Sequence, residues 1–161
     1  MRSPGAAGKS TAKKDLGLIL SNYGYIYVAQ VNLGANPEHT IKALKEAAAY
    51  KGPSIVIAYA PCINHGLSKG MSKAMDEEKA ATECGFWPLW RYNPDLEDEG
   101  KNPFQLDSGE PNGKLREYMM GEVRFASLTR TFPERAEELF AEAERFTAHR
   151  YAKYKRLAGQ T

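Results

Sequence analysis

Apolar and polar positions fall into blocks along this chain, and the period of each block predicts its element. Leu16, Ile19 and Leu20 share one side of a short helix over Asp15–Tyr23, with Asn22 and Gly24 marking its end. Tyr25–Val31 is rich in aromatic and β-branched residues and reads as a strand, broken by Gly34. Asn36-Pro37-Glu38 then opens a helix. The asparagine can cap, the proline forfeits an N–H that would be unpaired anyway, and the glutamate suits the positive end of the dipole. Ile41, Leu44 and Ala48 line one face, and Gly52-Pro53 ends the helix. Ser54–Tyr59 is an unbroken apolar, β-branched run, the pattern of a strand buried on both faces. Strand, helix and strand form a βαβ unit of about 30 residues with a right-handed crossover.

The second half is less regular. A short helix from Asp76 or Glu77 to Cys84 stops at Gly85, and Trp87–Tyr92 reads as a third strand, with Pro88 at its start or on an edge. Residues 93–114 form a long, mostly irregular excursion punctuated by prolines and glycines, of a length that is usually functional or packed on a neighbour. Leu115–Leu128 is helical. Thr131-Phe132-Pro133-Glu134 has capping-box spacing before a long helix to about Ala158, with Leu139, Phe140, Ala143 and Phe146 as its packing face. That helix is acidic at its start and basic at its end, as the macrodipole prefers. The expected fold is α/β, a three-layer sheet with βαβ units and a long carboxyl-terminal helix. The expected organisation is a flexible lead (1–12), an α/β core (13–92), the excursion (93–114) and a helical region (115–161).

Composition narrows the function classes. The 161 residues, 42% hydrophobic, suit one domain with a real core. A formal net charge of +2 gives no electrostatic reason to expect nucleic acid or an anionic membrane as partner. Two cysteines make no disulfide framework, so a reducing, cytoplasmic compartment is expected. No apolar run approaches the roughly 18 residues of a membrane span. Met1–Lys9 lacks the apolar centre of a secretory signal.

The candidate chemistry sits just past Ser54–Tyr59. Ligands bind beyond the carboxyl ends of strands in open α/β sheets, and Pro61-Cys62-Ile63-Asn64-His65-Gly66 occupies that position. Cys62 and His65 have a C-x-x-H spacing that Cys84 and His39 would have to complete as a zinc shell, yet only one close pair exists. A nucleophilic Cys62 assisted by His65 is the alternative, with nothing in the sequence to orient the imidazole. Cys84, at a helix end before an aromatic stretch, reads as a small buried residue. Gly8-Lys9-Ser10 is too degraded for a phosphate loop, because position 3 is serine and no strand precedes it. Tyr23, Tyr25 and Tyr27 read as packing residues, not a base-stacking platform, and Glu97-Asp98-Glu99 as a solvated face. From residue chemistry alone, no nucleophile, acid/base pair or phosphate cradle is complete.

A resemblance carries the reading further. The succession Tyr23-Gly24-Tyr25-Ile26-Tyr27-Val28-Ala29, Gly52–Leu67 and Gly70-Met71 resembles the pyruvate:ferredoxin (flavodoxin) oxidoreductases. Gly85–Pro94, Gly100–Ser108, Phe125-Ala126-Ser127-Leu128 and Thr131-Phe132-Pro133-Glu134 continue the match, from about Gly8 to Leu157. The resemblance implies the carboxyl-terminal part of a thiamine-diphosphate-binding domain, hence a partial thiamine-diphosphate-binding fold. It also implies a homodimeric enzyme that oxidatively decarboxylates pyruvate to acetyl-CoA with coenzyme A. Its cofactors are thiamine diphosphate, magnesium and four-iron four-sulfur clusters, and its electrons pass to ferredoxin or flavodoxin. Ala60-Pro61-Cys62-Ile63-Asn64 matches the block whose cysteine is a ligand of the cluster nearest the thiamine, so the resemblance makes Cys62 a metal ligand. Pro61 stands where the family often has a small or hydroxylated residue. The family's Gly-Asp-Gly…Asn element and its paired cysteines have no counterpart here. The chain is therefore expected to be a fragment, inactive without the remaining domains. It is expected to bind none of these cofactors alone and to have no catalytic or cofactor-binding residue besides Cys62. The alternative is a standalone non-catalytic α/β scaffold or interaction subunit.

Overall fold

The computed structural model describes residues 14–160. The flexible lead expected over 1–12 and the Gly8-Lys9-Ser10 motif lie outside the described residues. Strand β1 (Tyr27–Val31) is central and buried at every position. It pairs in parallel with β2 (Ser54–Ala58), Tyr27 opposite Ser54 and Val31 opposite Ala58. On its other side it pairs antiparallel with β3 (Trp90–Tyr92), and β3 pairs antiparallel with β4 (Phe104–Leu106). The order across the sheet is β2-β1-β3-β4.

Helix α2 (Pro37–Ala49) connects β1 to β2 and completes the expected βαβ unit. Its start follows the sequence logic: the Asn36 side chain accepts from the His39 N–H at 2.9 Å, and Pro37 occupies the first turn. A cap of this kind is worth about 1 kcal/mol. Tyr27, Ala29 and Val31 face α2 and meet Ala43. The alternate residue Val28 points to the other face, where it joins Leu18, Trp90, Phe104 and Tyr154. Leu18 belongs to α1 (Leu16–Ser21) and Tyr154 to α7 (Pro133–Leu157), so helices cover the sheet on both sides. Trp90 is fully buried and stacks on Phe104 at 5.0 Å between ring centroids. Gly17 permits α1 to lie on this ring, since a Cβ there would run into Trp90.

A third cluster sits around the end of β2. Tyr59, Cys84 and Phe86 pack there with residues of α3 (Ala74–Glu83), α5 (Leu115–Gly121), α6 (Val123–Thr131) and α7. A single 3-10 turn, Met71–Lys73, leads into α3, and the one-turn helix α4 (Asp95–Asp98) follows β3.

Several expectations are corrected. Ser54–Tyr59 is not a strand buried on both faces. Ser54 and Ala58 are exposed and Ile55, Val56 and Ile57 only half-buried, because β2 lies at the sheet's rim and β1 holds the centre. The α1 face that packs is Gly17, Leu18 and Ser21, with Leu16 and Ile19 exposed. In α2, His39 and Ala43 are buried while Ile41 and Leu44 face solvent. In both helices small or polar residues allow the closer approach to the sheet. Residues 93–114 are not wholly irregular, since α4 and β4 lie within them. Leu115–Leu128 is broken at Glu122, whose φ of −88° and ψ of 113° are extended. The Thr131 capping box is not formed. Its hydroxyl donates to the Ser127 carbonyl as the last residue of α6, and Phe132 precedes α7 without a side-chain cap.

Candidate functional site

Beyond β2 the Tyr59 N–H bonds the Val31 carbonyl at 3.1 Å, so the chain leaves the sheet in register. Pro61 is buried, and the next residues turn back on themselves as the Gly66 N–H reaches the Cys62 carbonyl at 2.9 Å. Gly66 takes a φ of +77°, which only glycine adopts without strain. The turn leaves Cys62 partly exposed and Ile63 almost wholly in solvent. His65 Nδ1 lies 3.1 Å from Cys62 Sγ. Hydrogen bonding from the His65 backbone and ring and from the Asn64 backbone lowers the thiol from 9.0 to about 7. A sulfur so placed is substantially thiolate at neutral pH, the form that binds metals and attacks electrophiles.

The loop rests on a polar floor inside the third cluster. The Tyr59 hydroxyl donates to Glu122 Oε1 at 2.6 Å and lies 2.5 Å from the Tyr118 hydroxyl. Glu122 is fully buried, and its Oε2 lies 3.1 Å from Arg124 Nε without a well-aligned hydrogen bond, so that contact is Coulombic. Glu77 is buried next to Gly121. Burial first, and then the Glu122 charge, raise its carboxyl above the ordinary value.

The four candidate zinc residues do not converge. Cys84 is in the core, where its thiol donates to the Ala81 carbonyl at 3.5 Å and burial pushes it up to about 11. It is the small buried residue the sequence suggests. His39 is engaged elsewhere, 3.0 Å from Asp107 Oδ2. Among the described residues no group of three or more His, Cys, Asp or Glu side chains could hold a metal ion. Cys62 and His65 are the pair the structure brings together. Cys62 thus offers one partly exposed sulfur, 3.1 Å from His65 Nδ1, and the other cysteine is held in the core.

Two polar clusters escape the sequence reading. One is the floor of Tyr59, Tyr118, Glu122 and Arg124. The other joins Arg91 to both Glu46 and Asp107, with Tyr27 donating to Glu46 at 2.8 Å and His39 meeting Asp107. A lone Glu between Met119-Met120-Gly121 and Val123, and a lone Arg amid Trp90 and Tyr92, are the signals available for them. Tyr23 and Tyr25 are exposed and Tyr27 buried, while Glu97, Asp98 and Glu99 are solvated.

Comparison with known proteins places this geometry in context. No protein-family model matches the chain. It is 53% identical over 155 residues to a pyruvate-flavodoxin oxidoreductase of Klebsiella pneumoniae, covering 96% of this chain and 13% of that enzyme. It is 54% identical over 153 residues to a pyruvate:ferredoxin oxidoreductase of Moorella thermoacetica, covering 95% of this chain and again 13% of the enzyme. It is 44% identical over 151 residues to the mitochondrial pyruvate dehydrogenase [NADP(+)] of Euglena gracilis, covering 93% of this chain and 8% of that protein. The chain thus has the sequence of a segment of a much larger oxidoreductase. The enzymes concerned are the pyruvate-flavodoxin and pyruvate:ferredoxin oxidoreductases, and it corresponds to a fragment of that family, about an eighth of its members' length.

Proposed function

We propose that this segment serves a pyruvate:ferredoxin or pyruvate:flavodoxin oxidoreductase by supplying Cys62 as one thiolate ligand of a four-iron four-sulfur cluster. The observation that carries the reading is the strand-end loop. It presents one partly exposed sulfur, hydrogen-bonded by the Asn64 and His65 backbones, in a chain that matches these enzymes along nearly its whole length. Such a cluster takes four thiolates, so the other three donors come from other parts of the polypeptide. When bound, the cluster supplies one-electron transfer. Hydrogen bonds to the ligand sulfur tune its potential, and here the His65 ring and the backbone of the turn supply them.

The complete enzyme would oxidatively decarboxylate pyruvate to acetyl-CoA with coenzyme A, using thiamine diphosphate and magnesium, and deliver electrons to ferredoxin or flavodoxin. This segment is the carboxyl-terminal part of the thiamine-diphosphate-binding domain of a cytoplasmic homodimer, with no activity of its own. No helix among the described residues is long and apolar enough to cross a membrane. The relative named for NADP(+) shares the same segment, which supports placing the choice of electron acceptor outside it.

The test is Cys62→Ser in the complete oxidoreductase, with iron analysis and low-temperature EPR. Loss of one cluster and of electron delivery is expected, with Cys84→Ser keeping both. A full cluster complement in Cys62→Ser overturns the proposal.

A further inference from the structure

A fully buried carboxyl is expensive unless bonded, and a hydrophobic residue of similar size is often as stable or better. Glu122 is such a carboxyl, and among its contacts are ones to both ends of a single loop. We propose that Glu122 is a positioning residue that clamps the Cys62 loop at both ends; the functional consequence rests on reading Cys62 as a cluster ligand.

The near end is held by the side chain. Glu122 Oε1 accepts from the Tyr59 hydroxyl at 2.6 Å, and Tyr59 is the residue at which the chain leaves β2. The Tyr118 hydroxyl, 3.3 Å from the same oxygen, and Arg124 Nε, 3.1 Å from the other, hold the carboxyl in place. The far end is held by the backbone. Glu122 forms an antiparallel bridge with Leu67, the Val123 N–H reaches the Gly66 carbonyl at 3.3 Å, and the Ser68 N–H reaches the Gly121 carbonyl at 2.8 Å. Extended dihedrals at Glu122 make that bridge possible, and they are what interrupts the helix between α5 and α6. The residues from Ala60 to Gly66, Cys62 among them, thus run between two anchors that meet in one residue. Fixing a ligand loop at both ends restricts where its sulfur can lie, as groups that orient a metal ligand do.

The experiment uses the complete oxidoreductase with Tyr59→Phe, which removes the near anchor isosterically, and Glu122→Gln. Tyr154→Phe serves as control, since it also deletes a buried hydroxyl bonded to a carboxyl, that of Asp15 at 2.7 Å, in the separate cluster of Leu18, Val28, Trp90 and Phe104. Amide exchange over residues 60–67 should rise about tenfold or more in Tyr59→Phe and stay near the parent rate in Tyr154→Phe. The rate of cluster reduction by pyruvate should fall about threefold or more in Tyr59→Phe at unchanged iron content. Unchanged loop exchange in both Tyr59→Phe and Glu122→Gln overturns the clamp, and so does equal loosening by the control. A loosened loop with unaltered cluster reduction overturns its role in the reaction. Retention of every cluster in Cys62→Ser would instead sink the ligand assignment and leave the exchange result standing, so the two failures are distinguishable.

Discussion

Arg91 and Asp107 meet through two parallel hydrogen bonds, Nε to Oδ2 at 2.9 Å and Nη2 to Oδ1 at 2.8 Å. The remaining amino group of Arg91 reaches both oxygens of Glu46, at 2.6 and 2.8 Å. One guanidinium on β3 thereby joins α2 to the segment after β4. Arg91 is buried, and among the described residues it is the only arginine or lysine in contact with these two largely buried carboxylates. Removing it leaves Tyr27 on Glu46 and His39 on Asp107. Arg91→Ala should cost about 3–5 kcal/mol, read as a lower denaturant midpoint at unchanged slope.

The same network sets a pH dependence. Burial alone would raise Asp107, but the hydrogen bonds from His39 and Arg91 and the Arg91 charge outweigh it and hold the carboxyl below its ordinary 3.8. Its folded value is thus depressed. The stability it contributes is complete above the unfolded value and is lost as pH falls through the folded one. Urea titrations from pH 6 downward should show the parent losing stability below about pH 4 more steeply than Asp107→Asn.

Glu77 carries the opposite sign. Burial and the neighbouring Glu122 charge raise its carboxyl, so the contribution that favours folding is present below the unfolded value and lost as pH rises through the folded one. Glu77→Gln should therefore match or exceed the parent in stability at pH 7. That advantage should vanish on acidification below about pH 4, where both forms are neutral. Thermal melts at the two pH values decide it.

Cys62 should be alkylated by iodoacetamide in the metal-free chain with a rate profile centred near pH 7, where its thiol titrates. His65→Ala removes the ring hydrogen bond and should move that midpoint upward, towards the ordinary thiol value. Cys84 should stay unreacted until unfolding, since it is buried and its thiol is pushed up.

Gly17→Ala tests the packing of α1. The added Cβ meets the Trp90 ring, which is fixed between Phe104 and Tyr154 and has little room to yield. A loss of about 1–3 kcal/mol is expected, despite the better helix propensity of alanine. Calorimetry would show it as a lower melting temperature.

How much of this could be read beforehand follows from what each signal encodes. A run such as Ile55-Val56-Ile57 specifies a strand because β-branched side chains fit a pleated surface, but it does not specify how many neighbours that strand has. The central strand is β1, all five of whose residues are buried, because it pairs on both sides. Helix faces mislead for a related reason: the stripe of Ile41 and Leu44 is more apolar than that of His39 and Ala43, yet the second packs more closely. The cap at Asn36 was legible because it depends only on adjacent residues. At the site, Cys62 was visible from its place after a strand and from the resemblance. Glu122 was not, since an acidic residue inside a helical pattern ordinarily faces water and its partner Tyr59 lies 63 positions away.

The rim position of β2 has a practical consequence. Among the described residues nothing pairs with the outer side of Ser54–Ala58, which lacks the lysines or internal proline that usually blunt such a border. A further strand laid there would turn the rim into the interior and shield Ile55 and Ile57. Concentrated in isolation, the polypeptide has only copies of itself to recruit for that place, and fibrous self-association is the outcome to guard against when it is produced by itself.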